Sequence, residues 1–338
     1  MKQDNIDRII KETYTDFNSE LDIHSDIKIP VWRMKLFQTI RYSENLEKMK
    51  IPTFKEKFLI NLFTSIFFRL CLYKGVMYLV IISIFNQKGG CGKSTTAINL
   101  AAYLAKHGKK TLLIDMDSQA NSTVGVGIDD EKLTSSIYDL LNNQEFKKEN
   151  ILKVIKKTEY PKLHIIPSDI NLANAEITLS SIMSRETVLK RILESIDGLY
   201  QYVIIDCPPS LGLLSVNSLV ASNYLIIPVD PSFFSMKGIK NLISSFNGIK
   251  INLNPGLDIL GVLITKFNGR KTISKDIKET LINAFGDKVF KTVIRIDSKI
   301  EYSQDNGKPI INFYEKCHGF EDYTAFGSEV VKWVTQKI

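Results

Sequence analysis

Between positions 86 and 95 the chain reads Asn86-Gln87-Lys88-Gly89-Gly90-Cys91-Gly92-Lys93-Ser94-Thr95. Glycines free backbone N–H groups to wrap an anion, a lysine after them can reach the outer phosphates of a nucleotide, and a hydroxyl directly after the lysine can ligate magnesium. The chemistry expected here is binding of ATP with Mg2+. Gly89, Gly90, Cys91 and Gly92 would cradle phosphate, Lys93 would neutralise it, Ser94 would meet the metal, and Thr95 supplies a second hydroxyl. Lys88 occupies the place where such a loop ordinarily has its first glycine, so a second lysine stands at the entrance. Three aspartates complete the set: Asp115 and Asp117, two positions apart, and Asp206 at the end of Tyr202-Val203-Ile204-Ile205.

These side chains can cooperate only if strands and helices bring them to one edge. From residue 77 onward, short β-rich apolar runs alternate with longer stretches of helical spacing. Strands are predicted at 79–85, 111–115, 163–167, 202–206, 224–229 and 259–265, and helices at 94–107, 173–196, 213–221, 236–249 and 273–285. Continuous apolar strands alternating with helices imply an α/β fold, a mostly parallel sheet covered by helices on both faces. The glycine loop falls between a strand and a helix, where the helix N-terminus adds a field favourable to anions. All three aspartates fall at or just beyond the C-terminal ends of strands, the edge where open α/β sheets bind ligands. Gly108 is expected to end the first long helix in a left-handed conformation, with Lys109 and Lys110 suiting its negative end.

Lys88-Gly-Gly-Cys-Gly-Lys93-Ser-Thr is similar to the deviant Walker A loop of the ParA/MinD ATPases. From Met77 onward the chain resembles the ParA (Soj) branch, which partitions chromosomes and plasmids. The likeness rests on Asn86-Gln87-Lys88-Gly-Gly, on Leu112-Leu113-Ile114-Asp115-Met116-Asp117-Ser118-Gln119-Ala120-Asn121, and on Tyr202 to Leu214 with its Asp206-Cys207-Pro208-Pro209; Ser184-Arg185-Glu186 and Gly307-Lys308-Pro309 add to it. The resemblance implies a three-layer P-loop NTPase fold and slow, partner-stimulated ATP hydrolysis. It also implies an ATP-sandwich homodimer in which Lys88 reaches the nucleotide of the other copy. Lys88, Lys93 and Asp117 then become the catalytic set, with Asp117 orienting the attacking water, and Ser94, Asp115 and Asp206 the magnesium set. One of Asp115 and Asp117 can instead cap the turn at Asn121. Gln119 and Asn121 belong to a switch-like loop.

By the same resemblance, adenine is expected against the segment Ile294-Arg295-Ile296-Asp297, where the family commonly carries Ile-Pro-Arg-Asn. Arg295 and Asp297 replace the usual proline and asparagine, and Asn268 is a second candidate for the base edge. Non-specific DNA would meet Lys299, Arg295, Arg270 and Lys271 through phosphate neutralisation, with a ParB-like protein as the stimulating partner. Cys91 and Cys207 are read as small buried fillers.

Composition bounds the alternatives. The 338 residues carry 44 Lys/Arg against 37 Asp/Glu, a net charge of +7, with 44% hydrophobic residues, which excludes a disordered chain. Residues 1–76 hold 13 basic and 10 acidic side chains and the remainder 31 and 27, so neither part is a basic tail and any DNA contact must come from local clustering. The four cysteines form no CxxC pair, which removes zinc and iron–sulfur spacings and fits a reducing cytoplasm. The apolar tract 58–85 is interrupted by Arg69, Lys74 and Gly75, and its second half is claimed by the first strand, so a membrane span is not expected. A MinD-like membrane-positioning ATPase, or a nucleotide-gated scaffold for another large cargo, remains the alternative. The first would need an amphipathic C-terminal helix on lipid, whereas Val330, Val331 and Val334 are expected to pack on the domain. Tyr314 and Tyr323 are too few for a tyrosine-kinase tail. Two segments are expected: residues 1–76, an upstream extension, and residues 77–338, the ATPase domain, which opens at Met77 where ParA chains usually begin.

Overall fold

The computed structural model describes residues 79–232 and 235–337. The expected extension 1–76 and the expected start at Met77 lie outside the described residues.

Eight strands form one sheet: β1 (Val80–Ile84), β2 (Thr111–Asp115), β3 (Lys156–Lys157), β4 (Leu163–Ile166), β5 (Tyr202–Asp206), β6 (Tyr224–Val229), β7 (Asp258–Phe267) and β8 (Val289–Arg295). Their order across the sheet is β3-β4-β2-β5-β1-β6-β7-β8, parallel throughout except for the antiparallel pair of β3 with β4. Twelve α-helical segments are described. In chain order they are α1 (Lys93–Lys106), α2 (Asn121–Val124), α3 (Ile137–Asn142), α4 (Lys148–Val154), α5 (Ala175–Ser180), α6 (Val188–Glu194), α7 (Leu213–Ala221), α8 (Ser235–Asn252), α9 (Thr272–Phe285), α10 (Ser298–Asp305), α11 (Ile310–Phe313) and α12 (His318–Lys337).

Side chains alternate across each central strand, so the sheet separates two apolar cores. Ile82 and Ile84 of β1, Leu113 of β2 and Ile204 of β5 lie with α1, α11 and α12, where Leu100, Ile310, Phe326 and Val330 are buried. On the other face, Ile81, Leu112, Val203 and Ile227 lie with residues of α3 to α9, among them Leu140, Leu189, Leu242 and Leu281. The expected three-layer α/β architecture is present, and the central strands β1, β2, β5 and β6 are buried along their whole length because helices cover both faces of the sheet.

Gly108 takes φ +82° just beyond the end of α1, the left-handed turn expected there. Val330 and Val334 of α12 are buried against the sheet and Val331 packs beside them. Among the described residues, no helix is long and apolar enough to cross a membrane.

Two expectations fail locally. The helix predicted over 173–196 is broken into a 3-10 turn (Ile170–Asn174), α5, a second 3-10 turn (Arg185–Thr187) and α6. Ser180 and Ser181 turn their hydroxyls back onto the carbonyls of Ile177 and Thr178, and Ser184 adopts φ +57°, so hydroxyls compete with the helix where apolar spacing alone favours it. The edge strand β8 is absent from the prediction because Lys291 and Thr292 interrupt its apolar run. The backbone N–H groups of those two residues bond the Glu329 carboxylate of α12.

Candidate functional site

The loop from Asn86 to Gly92 joins β1 to α1. Gly90 and Gly92 take φ +70° and +84°, conformations that L side chains rarely adopt, and a Cβ placed at Gly89 or Gly90 would meet nothing within 4 Å. The loop therefore opens onto space at the point where its glycines bare the backbone. Helix α1 begins with no side-chain cap and no acidic residue in its first turn. Its first N–H groups are thus left to an anion rather than spent on the chain.

Three contacts hold the loop in place. Asn86 Nδ2 donates to Pro228 O at 2.7 Å, Thr265 Oγ1 donates to Cys91 O at 2.8 Å, and Lys93 Nζ lies 3.4 Å from Lys88 O. Lys93 is almost wholly buried, so its ammonium is already confined to the loop. Cys91 is fully buried with Sγ on Lys88 O at 3.2 Å, and burial pushes its thiol up, which makes it the inert filler expected. Burial likewise pushes Cys207 up to about 12.

Beside the loop, β2 and β5 pair in register so that Asp115 faces Asp206, and both carboxylates are fully buried. Burial raises both above the ordinary carboxylate range; the Asp206 charge adds to this at Asp115, while the nearby Ser94 hydroxyl, the hydrogen bond from Ser122 and the charge of Lys93 oppose it at Asp206. Their partners divide their roles. Asp115 Oδ2 accepts from Thr123 N and Thr123 Oγ1, both at 2.8 Å, and its Oδ1 accepts from Asp117 N at 3.2 Å. Asp115, expected as a magnesium ligand, has both oxygens engaged by the 117–123 segment, the geometry of the capping role left open between it and Asp117.

Asp206 differs. Its Oδ2 accepts from Ser122 Oγ at 2.7 Å, whereas its buried Oδ1 has no hydrogen-bond partner. An orphaned carboxylate oxygen beside the Ser94 hydroxyl, on a loop built for phosphate, fits a hard divalent cation that keeps part of its water shell. Asp117 is partly exposed just past β2, its Oδ1 accepting from Gln119 N at 3.1 Å. Thr95 Oγ1 accepts from Gln304 Nε2 at 2.7 Å, which ties α1 to α10.

Residues 79–259 match the family model described as an AAA domain. The sporulation initiation inhibitor protein Soj of Bacillus subtilis is 41% identical over 250 residues, covering 74% of this chain and 97% of Soj. The chromosome partitioning protein ParA of Myxococcus xanthus is 38% identical over 257 residues, covering 76% of this chain and 89% of ParA. The chain belongs to the ParA/Soj family of partitioning ATPases. Among solved structures, a putative plasmid partition protein from Borrelia burgdorferi bound to AMPPNP superposes with a TM-score of 0.61 at 30% identity, over 77% of this chain and 100% of that one.

Within this ParA/Soj chain the remaining expected residues separate. Asn268, whose Oδ1 accepts from Arg270 N at 3.0 Å, shares a cleft of about 300 Å³ with Lys271, Ile296, Asp230 and Ser232. Arg295 turns elsewhere: its Nε and Nη2 bond both oxygens of Asp322 at 2.6 to 3.1 Å, and Nη2 also reaches Glu321 at 2.9 Å. Two carboxylates therefore neutralise the guanidinium that was expected to meet adenine or DNA. Asp297 caps α10, accepting from Lys299 N at 2.9 Å and Gly319 N at 2.8 Å. Burial would raise its carboxyl, but these N–H donors more than offset that and hold it below the usual range. It serves as the cap of α10. Lys299 and Arg270 are exposed, the former 4.6 Å from the Tyr314 ring centre.

Ser122 and Gln304 carry no motif of their own and were not singled out. Ser122 was legible only as a hydroxyl one position after Asn121 in the switch-like loop.

Proposed function

We propose that this chain is an ATP-dependent DNA-partitioning ATPase; its likeness to Soj and ParA supports the partitioning role, and the orphaned Asp206 Oδ1 set against an uncapped phosphate loop is the observation that carries the nucleotide chemistry. Backbone N–H groups of Gly89 to Gly92 and the start of α1 take the phosphates, and Lys93 exchanges its weak contact with Lys88 O for phosphate oxygens. Ser94 and Asp206 would hold magnesium, which when bound neutralises phosphate charge. Asp117 receives the attacking water at the edge of the loop and orients it for in-line displacement. Asp115 and Thr123 keep that segment folded.

Two copies pair around nucleotide, with Lys88 reaching the phosphates of the other copy. The pair binds DNA non-specifically through exposed cations, Lys299, Arg270 and Lys271. A ParB-like partner stimulates hydrolysis, which resets the pair. The cytoplasm, on the nucleoid, is the place this cycle requires. Burial of Val330 and Val334 leaves the C-terminal helix without the apolar face that a MinD-like attachment to lipid would use. We assign the ATPase unit to residues 77–338, in keeping with the 97% of Soj that the alignment covers.

Lys93→Ala tests the site assignment. Loss of both nucleotide retention and turnover is expected; full ATPase activity in that variant would refute it.

A further inference from the structure

Lys88 is gripped within its own chain. Its Nζ lies 2.6 Å from each carboxylate oxygen of Asp230 and 2.6 Å from Ser232 Oγ. Those three acceptors match the three N–H donors of an ammonium group.

The backbone builds this grip. Asn86 donates to Pro228 O at 2.7 Å and accepts from Lys88 N at 3.1 Å, so the entrance of the loop is stitched to β6 two residues ahead of Asp230. Ser232 N then donates to Asp230 O at 2.8 Å, a tight turn that brings the serine hydroxyl beside the aspartate. An ammonium with all three donors engaged here must leave before it can serve a phosphate carried by another copy.

We propose that Asp230, assisted by Ser232, is a holding site for Lys88 that competes with nucleotide on a second copy and so sets the nucleotide concentration at which two chains pair. This rests on the reading of Lys88 as a contact made across the pair. Asp230 is a positioning residue, acting through Lys88. The Lys88 and Asp230 side chains are 33% and 20% exposed, so solvent screens the pair and its loss shifts the equilibrium severalfold rather than by orders of magnitude.

The test is sedimentation velocity of the full chain with Mg2+ across a titration of the non-hydrolysable analogue AMPPNP. Asp230→Asn keeps the shape and removes the charge. Half-maximal pairing is expected at a roughly three- to tenfold lower analogue concentration. Without nucleotide the Asp230→Asn chain should pair no more than the unaltered one, because a released Lys88 gains only where a phosphate meets it; a general loss of surface repulsion would raise pairing in both conditions. Ser232→Ala, which removes one contact and leaves the carboxylate, should shift pairing in the same direction by less, and it carries the test if Asp230→Asn does not fold. Unchanged or weakened pairing in these variants, or an equal gain without AMPPNP, overturns the holding site. Failure of the unaltered chain to pair with AMPPNP at all overturns the ATP-dimer reading, and the holding site falls with it.

Discussion

Ser122 donates its hydroxyl to Asp206 Oδ2 at 2.7 Å, and Asp206 Oδ1 is left buried without a partner. The two residues are 84 positions apart, and if Asp206 holds magnesium as proposed, the serine sets which carboxylate oxygen is left for it. Groups that orient a metal ligand tune the metal without touching it. Ser122→Ala should therefore raise the Mg2+ concentration for half-maximal ATPase activity by about tenfold, with a smaller effect at saturating Mg2+. Ser122→Thr, which keeps the hydroxyl, should restore most of the loss. A Mg2+ titration of the alanine variant that matches the unaltered chain would show that Ser122 does not orient Asp206.

Asp117 is expected to act on the water and not on nucleotide affinity, because its carboxylate stands just past β2 on a partly exposed turn. Asp117→Ala should retain ATP while single-turnover hydrolysis falls by about a hundredfold or more. Loss of ATP retention in parallel would move Asp117 from the water to the binding site.

The central sheet was readable because β1, β2, β5 and β6 are buried on both faces and therefore continuously apolar. The phosphate loop was equally readable, since glycine, lysine and hydroxyl each have a separate physical task there. Where the sequence misled, side chains were paying attention to partners far along the chain. Arg295 has no acidic neighbour in the strand itself, and only folding brings Asp322 and Glu321 of α12 onto its guanidinium. Asp297, read as an acceptor for the base, also caps α10 through Lys299 N and accepts from Gly319 N of α12, a bond with no local pattern. The Lys88–Asp230 contact spans 142 positions and leaves no local pattern to read.

Gly307 explains part of the Gly307-Lys308-Pro309 motif. Its φ is +62°, and a Cβ there would lie 2.9 Å from Val124 O, at the end of the short helix that carries Ser122 and Thr123. Gly307→Ala is expected to cost about 1–2 kcal/mol through backbone strain and that contact, read as a lower Tm of the chain without nucleotide. An unchanged Tm would mean the turn relaxes freely.

At the opposite edge of the sheet, Asp258 bonds Lys288 at 2.9 Å and Lys337 at 2.5 Å. Burial alone would raise its carboxyl, but the hydrogen bonds and charges of these lysines prevail and hold it below its ordinary value of 3.8. A carboxylate depressed on folding stabilises the fold above its unfolded pKa, and that contribution disappears as pH falls through the folded value. Asp258→Asn should therefore cost about 1 kcal/mol at neutral pH, with the gap closing as the pH drops below about 4. Denaturant titrations at several pH values measure it; a gap independent of pH would assign the loss to packing instead.

The most direct test of an ATP-dependent partitioning cycle is retention of non-specific duplex DNA with Mg-ATP, with Mg-ADP and without nucleotide, at several salt concentrations. Binding is expected only with ATP, persisting in Asp117→Ala, and Lys299→Ala should lower the salt slope by about one while Arg295→Ala leaves it unchanged. DNA retained equally with ADP or without nucleotide would contradict the ATP-gated cycle.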